Sequence, residues 1–208
     1  MIERRAGGEQ KMAEKTLLIT GFDPFGGEKI NPSYEAVKLL PERVGKYNIV
    51  KLCVPTSFEK ASGTVIAKAE ECEPDVIICV GQAGGRKGVT PEVIGINLRD
   101  ARIPDNDGAM PRGVPVVPDG PAAYFSTLPV DDIVESVSKA GVPSFKSYSA
   151  GAFVCNDLLY SLLHRFDGTD KKIGFIHVPF LPEQAGDKHP SLTLEQITTA
   201  LTAAIEVI

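Results

Sequence analysis

The sequence predicts an α/β fold built on a mixed, mostly parallel twisted sheet with helices on both faces. Three observations predict it. Short runs rich in Val, Ile and Leu alternate along the chain with segments whose apolar residues recur at helical spacing. Strand, helix and strand follow one another twice before residue 81, and right-handed crossovers of that kind bring their strands parallel. The 208 residues are 43% hydrophobic and 24% charged, proportions of a globular domain large enough to bury a core without disulfides or a structural metal.

The first fourteen residues, MIERRAGGEQKMAE, are polar and aperiodic. A disordered N-terminal extension is expected there, with residues 15–208 forming a single domain. TLLIT (16–20) reads as a strand ending at Gly21. Asn31 and Pro32 suit the N-cap and first position of a helix reaching Leu40. A strand follows over residues 48–54. Phe58, Ala61, Val65, Ala69 and Cys72 then fall at helical spacing and lead into a buried strand at 75–81. Residues 102–121 hold five of the sixteen prolines, with Gly108, Gly113 and Gly120 between them, which predicts a long functional loop or loose hairpin. Beyond it the pattern gives a helix near 130–139, a strand near 145–149, a helix from about 151 to 164 and the strand GFIHV (174–178). Leu194, Ile197, Leu201, Ala204 and Ile208 mark the buried stripe of a final helix.

Charge and cysteine content exclude several classes of function. Net charge is -5 with both signs interspersed, so no basic face invites nucleic acid or an anionic membrane. The apolar runs are too short to cross a bilayer, and no charged-then-apolar leader opens the chain, so a cytoplasmic protein is expected. Cys53, Cys72, Cys79 and Cys155 lack CxxC or zinc-ribbon spacing. Cys53 and Cys79 sit in strand-like runs and are expected as buried free thiols.

Open α/β sheets leave ligand crevices past the C-terminal ends of their strands. Four segments fall there: GFDPFGG (21–27), GQAGGRKGVTPE (81–92), SAGAFVCN (149–156) and FIHVP (175–179). Of three histidines, His164 lies nine residues beyond Cys155 on the same predicted helix, roughly 13 Å along its axis. His189 sits in a polar stretch. His177 alone is carried by an apolar strand to the rim of the sheet, where it is either a base or a core histidine bonded to backbone. Cys155 lies near a helix start, where free N–H groups and the helix dipole favour a thiolate. With Ser149 as N-cap it would fall in the second turn, and its other reading is a packing cysteine beside Phe153, Val154 and Leu158. A Cys–His pair needs a third group to orient the imidazole. Glu92, Asp105 and Asp157 are the acids in suitable places; Asp157 should point away, and spacing leaves Glu92 and Asp105 tied. GQAGGR lacks both GxGxxG spacing and a GK[ST] ending, so its phosphate reading is weak. In GFDPFGG, Phe22 and Phe25 stand among glycines and could wall an apolar pocket.

Taken in order, GFDPFGGEKINPS, VPTSF, GQAGGR with TPE, NLRDARIPDN, YFSTLP, SAGAFVCN and FIHVP resemble the pyroglutamyl peptidase I (pyrrolidone carboxyl peptidase) family from Thr16 to the last helix. The resemblance implies a three-layer αβα sandwich shared with purine nucleoside phosphorylases. It also implies a cytoplasmic cysteine exopeptidase, usually homotetrameric, that removes N-terminal pyroglutamate and needs no metal or cofactor. Its motifs place the nucleophile on Cys155, the base on His177 and the acid on Glu92, and the pocket on Phe22, Phe25, Thr56, Ile103, Phe153 and Val154. Arg102 or Gln82 would help the Cys155 N–H in an oxyanion hole. The family commonly reads ERVAIN where this chain has EVIGIN, so Val93 removes a charge beside Glu92. The competing expectations are a phosphorylase-like transferase using Gly84 to Arg86 for phosphate, and a small-ligand binding module.

Overall fold

In the computed structural model, residues 14–208 are described; the extension expected at the N-terminus lies, but for Glu14, outside the described residues. The first apolar run forms β1 (Lys15–Phe22) at the centre of the sheet. Helix α1 (Pro32–Leu39) opens with the expected Asn31 cap, whose side chain accepts from Ser33 N. It presses so closely on β1 that a Cβ on Gly21 would stand 2.5 Å from the Tyr34 backbone. The short β2 (Arg43–Val44) runs antiparallel beside β3 (Tyr47–Val54). Next come α2 (Ala61–Cys72), β4 (Val76–Gln82) and β5 (Thr90–Pro91). A separate antiparallel pair is made by β6 (Ile94–Ile96) and β7 (Ala123–Phe125). The chain continues through α3 (Val130–Lys139), α4 (Val154–Arg165), β8 (Lys172–Val178), α5 (Pro182–Ala185) and α6 (Leu194–Glu206).

The main sheet has the order β2-β3-β1-β4-β8-β5, with its four central strands parallel and its two edge strands antiparallel. Because side chains alternate along a strand, each strand feeds both faces. Leu17, Ile19, Ile78, Val80, Ile176 and Val178 pack under α1, α3 and α6. Leu18, Phe22, Ile77, Cys79, Ile173 and Phe175 pack under α2 and α4. This is the expected three-layer arrangement.

Three local expectations are corrected. Residues 145–149 form no strand: the segment makes one isolated bridge, Ser147 to Glu92, and a second, Ser144 to Val89, lies just before it. Pro91, between Val89 and Glu92, has no N–H with which to continue a ladder. Helix α4 starts at Val154, with Phe153 as N-cap, because the chain turns at Gly151 (φ +78°) before it can coil. Cys53 is exposed, since β2 pairs only with Tyr47 and Asn48 and leaves the far end of β3 as a sheet edge.

Packing decides where α4 starts. Phe153 supplies no side-chain cap, forgoing about 1 kcal/mol. Val154, Leu158, Leu159 and Leu162 are each fully buried, at roughly 1.5–3 kcal/mol apiece.

Candidate active site

Alternation along β8 turns Ile173, Phe175 and His177 toward α4, and His177 is 3% exposed. On β4 the residue in register with His177 is Gly81, which opens a gap on the same face. Cys155 fills it: a Cβ on Gly81 would stand 3.1 Å from Cys155 Sγ and 2.7 Å from Phe175 Cζ. The nucleophile candidate therefore lies against the glycine that is in register with the base candidate. Cys155 is the second residue of α4, in the first turn rather than the second, where backbone N–H groups have no intrahelical acceptor. It keeps part of its surface open, unlike Cys79 beneath it.

Glu92 follows β5, whose Thr90 is in register with His177. Its backbone N–H donates to Phe175 O at 2.8 Å, and its Oε1 lies 2.7 Å from His177 Nδ1. With Nδ1 donating to the carboxylate, Nε2 is left to take a proton. Glu92 is wholly buried, yet it is not without a cation as the Val93 substitution suggested: Arg86 Nη1 sits 2.8 Å from the same Oε1. Asp105 and Asp157, also buried, serve elsewhere. Asp105 accepts from the backbone N–H groups of Phe58, Asp107 and Ala109. Asp157 is paired with Arg99 Nε at 2.5 Å. His164 meets Tyr124 Oη at 2.9 Å and stacks on Tyr160, and His189 lies against Phe180.

Burial by itself would push the Glu92 carboxyl up, but the hydrogen bond and charge of His177, with Ser147 and Arg86, hold it below the usual range. Burial pushes the His177 imidazole down against the pull of Glu92, and Arg86 acts in the same direction as burial. Burial pushes the Cys155 thiol up to about 12, Glu92 adding to the rise and Arg86 opposing it. Burial thus favours the neutral forms of the Cys155 thiol and the His177 imidazole, while the partners of Glu92 favour its charged form.

Beside the thiol is an aromatic cluster. Phe25 and Phe153 lie 6.1 Å apart, and Phe58 meets Phe153 edge-on at 5.3 Å. Ile103 is 45% exposed, and its Cδ1 is 4.0 Å from where a Cβ on Gly26 would stand. Phe22 and Val154 lie deeper: both are buried in the core, Phe22 with its ring 6.2 Å from that of Phe175. Thr56 is buried, donating from N to Asp23 Oδ1 at 2.7 Å. The proline-rich segment is a closed hairpin, bridged where Arg99 and Val114 exchange backbone hydrogen bonds. Asn106 ties its tip to Asp23 Oδ1 and Pro24 O.

Sequence reasoning missed several residues that hold this arrangement. Asn156 exchanges hydrogen bonds with Ile96 and donates to Leu98 O, docking the first turn of α4 on β6. Phe58 looked like the first residue of a helical stripe. The Arg99 bond to Asp157 and the Arg86 bond to Ser149 O join residues 58 and 63 positions apart, separations that no local pattern reveals. Of the suggested oxyanion donors, Gln82 accepts from Gln184 Nε2 at 3.1 Å, while Arg102 is exposed. The phosphate reading of Gly84 to Arg86 meets a turned-in loop: Arg86 is engaged with Glu92, and a Cβ on Gly84 would lie 2.0 Å from the Phe180 ring.

The pyroglutamyl peptidase family model matches residues 15–208. The pyrrolidone-carboxylate peptidase of Bacillus cereus (strain G9842) is 51% identical over 198 residues, covering 93% of this chain and 92% of its own. The crystal structure of Bacillus amyloliquefaciens pyroglutamyl peptidase I is similar with a TM-score of 0.90 and 49% identity, over 93% of this chain and 96% of that one. The pyrrolidone carboxyl peptidase of Thermococcus litoralis is similar with a TM-score of 0.89 and 37% identity, over 93% and 92%. With its match running from the first strand to the last residue, the chain belongs to the pyroglutamyl peptidase family.

Proposed function

We propose that this protein is a cysteine peptidase that removes N-terminal pyroglutamate (5-oxoproline) from peptides through a thioester acyl-enzyme. The observation that carries the chemistry is the placement of Cys155 Sγ over Gly81, beside a His177 whose Nδ1 is held by buried Glu92. Cys155 gives its proton to His177 Nε2 as sulfur attacks the pyroglutamyl carbonyl. The developing imidazolium is stabilised by Glu92. The oxyanion faces first-turn N–H groups of α4, including that of Cys155. His177 then protonates the departing amine as the peptide bond breaks. Water, deprotonated by His177, attacks the thioester, and the thiol leaves with its proton restored.

The substrate reading fits the cluster beside the thiol. Pyroglutamate is a neutral lactam without an α-ammonium, so apolar walls and a few hydrogen bonds suffice. Phe25, Phe153 and Ile103 form the open side, with Phe22, Thr56 and Val154 behind. Every proton in the scheme passes through His177, so the reading calls on neither a metal nor a cofactor.

Residues 15–208 are read as one catalytic domain, since α6 at the end of the chain packs on α1 near its start. Four free cysteines among the described residues suit a reducing cytoplasm, and no helix of the described residues is long and apolar enough to cross a membrane. Exposed Leu39, Phe125, Phe145 and Tyr148 are surfaces that a homotetramer would cover, which light scattering tests. For the activity, the assay is cleavage of pyroglutamyl-aminomethylcoumarin by wild type and Cys155→Ser. Turnover by wild type and none by the variant is expected; no turnover by wild type, or equal turnover by both, would overturn the reading.

A further inference from the structure

The loop after β4 places a guanidinium where the catalytic scheme has no stated use for one. Arg86 Nη1 donates to Glu92 Oε1 at 2.8 Å and to Thr90 Oγ1, and Nη2 donates to Ser149 O at 3.1 Å. Those three partners belong to three different parts of the site. Glu92 holds the imidazole; Thr90 is the register partner of His177; Ser149 begins the turn that delivers Cys155 to the start of α4. The planar fork of arginine can reach two sides at once, which a lysine cannot reproduce.

We propose that Arg86 is a positioning residue that clamps the acid–base edge of the site to the loop before the nucleophile and sets the pH at which the Cys155–His177 pair becomes reactive. This proposal rests on the functional reading above, but its geometry stands without it. Two physical consequences follow. A buried carboxylate with only His177 for company would share the imidazole proton, whereas a second cation on the same oxygen keeps Glu92 ionised and His177 ready to accept. Arg86 also stands near enough to disfavour a proton on both reactive groups, lowering His177 and opposing the rise at Cys155. The charged and titratable groups that act on the pair are Glu92 and Arg86 at the sheet edge and Cys79 on β4, with Ser147 bonded to Glu92. Arg86 is the one cation among them, and a quarter of its side chain is exposed, so it can be replaced without emptying a core.

The test is the rate of Cys155 alkylation by iodoacetamide as a function of pH, with kcat and KM for pyroglutamyl-aminomethylcoumarin, in wild type, Arg86→Gln and Arg86→Lys. In Arg86→Gln both reactive groups hold their protons more tightly. The alkylation profile and the acidic limb of kcat/KM are therefore expected to move to higher pH, with a loss of roughly ten- to a hundredfold in kcat near neutrality and little change in KM. Arg86→Lys, which keeps the charge and loses the fork, should restore the pH midpoint while kcat stays below wild type. Unmoved midpoints in Arg86→Gln, or a lysine variant whose midpoint shifts as far as that of glutamine, would overturn the proposal. Should Arg86→Gln fail to fold, the lysine variant and Arg86→Met carry the same comparison. A wild type that is alkylated but cleaves no pyroglutamyl substrate would refute the functional reading, while the alkylation profiles still decide the role of Arg86.

Discussion

Replacing Gly81 by alanine adds one methyl group between the Cys155 thiol and the Phe175 ring, on the strand residue in register with His177. Its Cβ would lie 2.7 and 2.9 Å from Phe175 Cζ and Cε1 and 3.1 Å from Cys155 Sγ, against ordinary carbon contacts of about 3.5–4.0 Å. The backbone at Gly81 is not in the left-handed region, so the cost is steric and not conformational. Removing a glycine from the unfolded chain returns about 0.4–1 kcal/mol, and overpacking costs about 1–3 kcal/mol. The net loss of stability is then roughly 1–2 kcal/mol, a drop of about 2–8 °C in Tm for a chain of this size. Phe175 is fully buried and its ring is 4.7 Å from that of His177, so relief must come from moving the thiol, the ring or the imidazole by several tenths of an ångström. Misplacement on that scale costs up to about a hundredfold in rate. Measured kcat/KM on pyroglutamyl-aminomethylcoumarin should fall by ten- to a hundredfold, roughly, while calorimetry shows a folded protein with a modestly lowered Tm. A variant within about threefold of wild type in kcat/KM would show that Cys155 does not react from the position it holds over Gly81.

His177→Ala should lower turnover by orders of magnitude and Glu92→Gln by less, because the first removes the proton acceptor and the second only its orientation and charge; His164→Ala and His189→Ala should turn over near the wild-type rate, and an equal loss at His189 would mean the wrong base has been chosen. Iodoacetamide with peptide mapping should show inactivation in step with labelling of Cys155; exposed Cys53 is expected to label without loss of activity, and inactivation that follows Cys53 would refute the assignment. Stability should fall as pH drops below about 6.5, because the unfolded histidine takes up a proton there while buried His177, held below that value, resists it down to its lower folded pKa. The Tm loss between pH 7 and pH 5 should thus be smaller in His177→Gln than in wild type, and equal losses would contradict a neutral resting imidazole. Prolyl and glutaminyl arylamides, which bring a charged amine into apolar walls, should be cleaved at least roughly a thousandfold less efficiently than the pyroglutamyl substrate; comparable kcat/KM values would mean that a carboxylate lines the pocket.

What the sequence determined by itself was whatever depends on neighbours along the chain. Hydrophobic period and capping chemistry act within a turn or a strand, so the central strands, the Asn31 cap and the last helix were readable to within a few residues. A strand that is apolar except for His177 likewise announces a histidine at a sheet rim. Tertiary structure decided the rest. Spacing could not separate Glu92 from Asp105, because the choice depends on which one the sheet edge carries to His177, 85 residues further on. Short elements such as β2, β5 and β6 have no period to detect; they exist because a neighbouring strand offers hydrogen bonds. The expected strand at 145–149 failed since its partner edge contains Pro91, and the expected helix start at 151 failed since Gly151 turns the chain first. Arg86 was legible only as part of a glycine-rich phosphate pattern. Folding turns it inward onto a buried carboxylate and the carbonyl of Ser149, 63 residues away, because an ion buried without a partner is costlier than a loop bent to provide one.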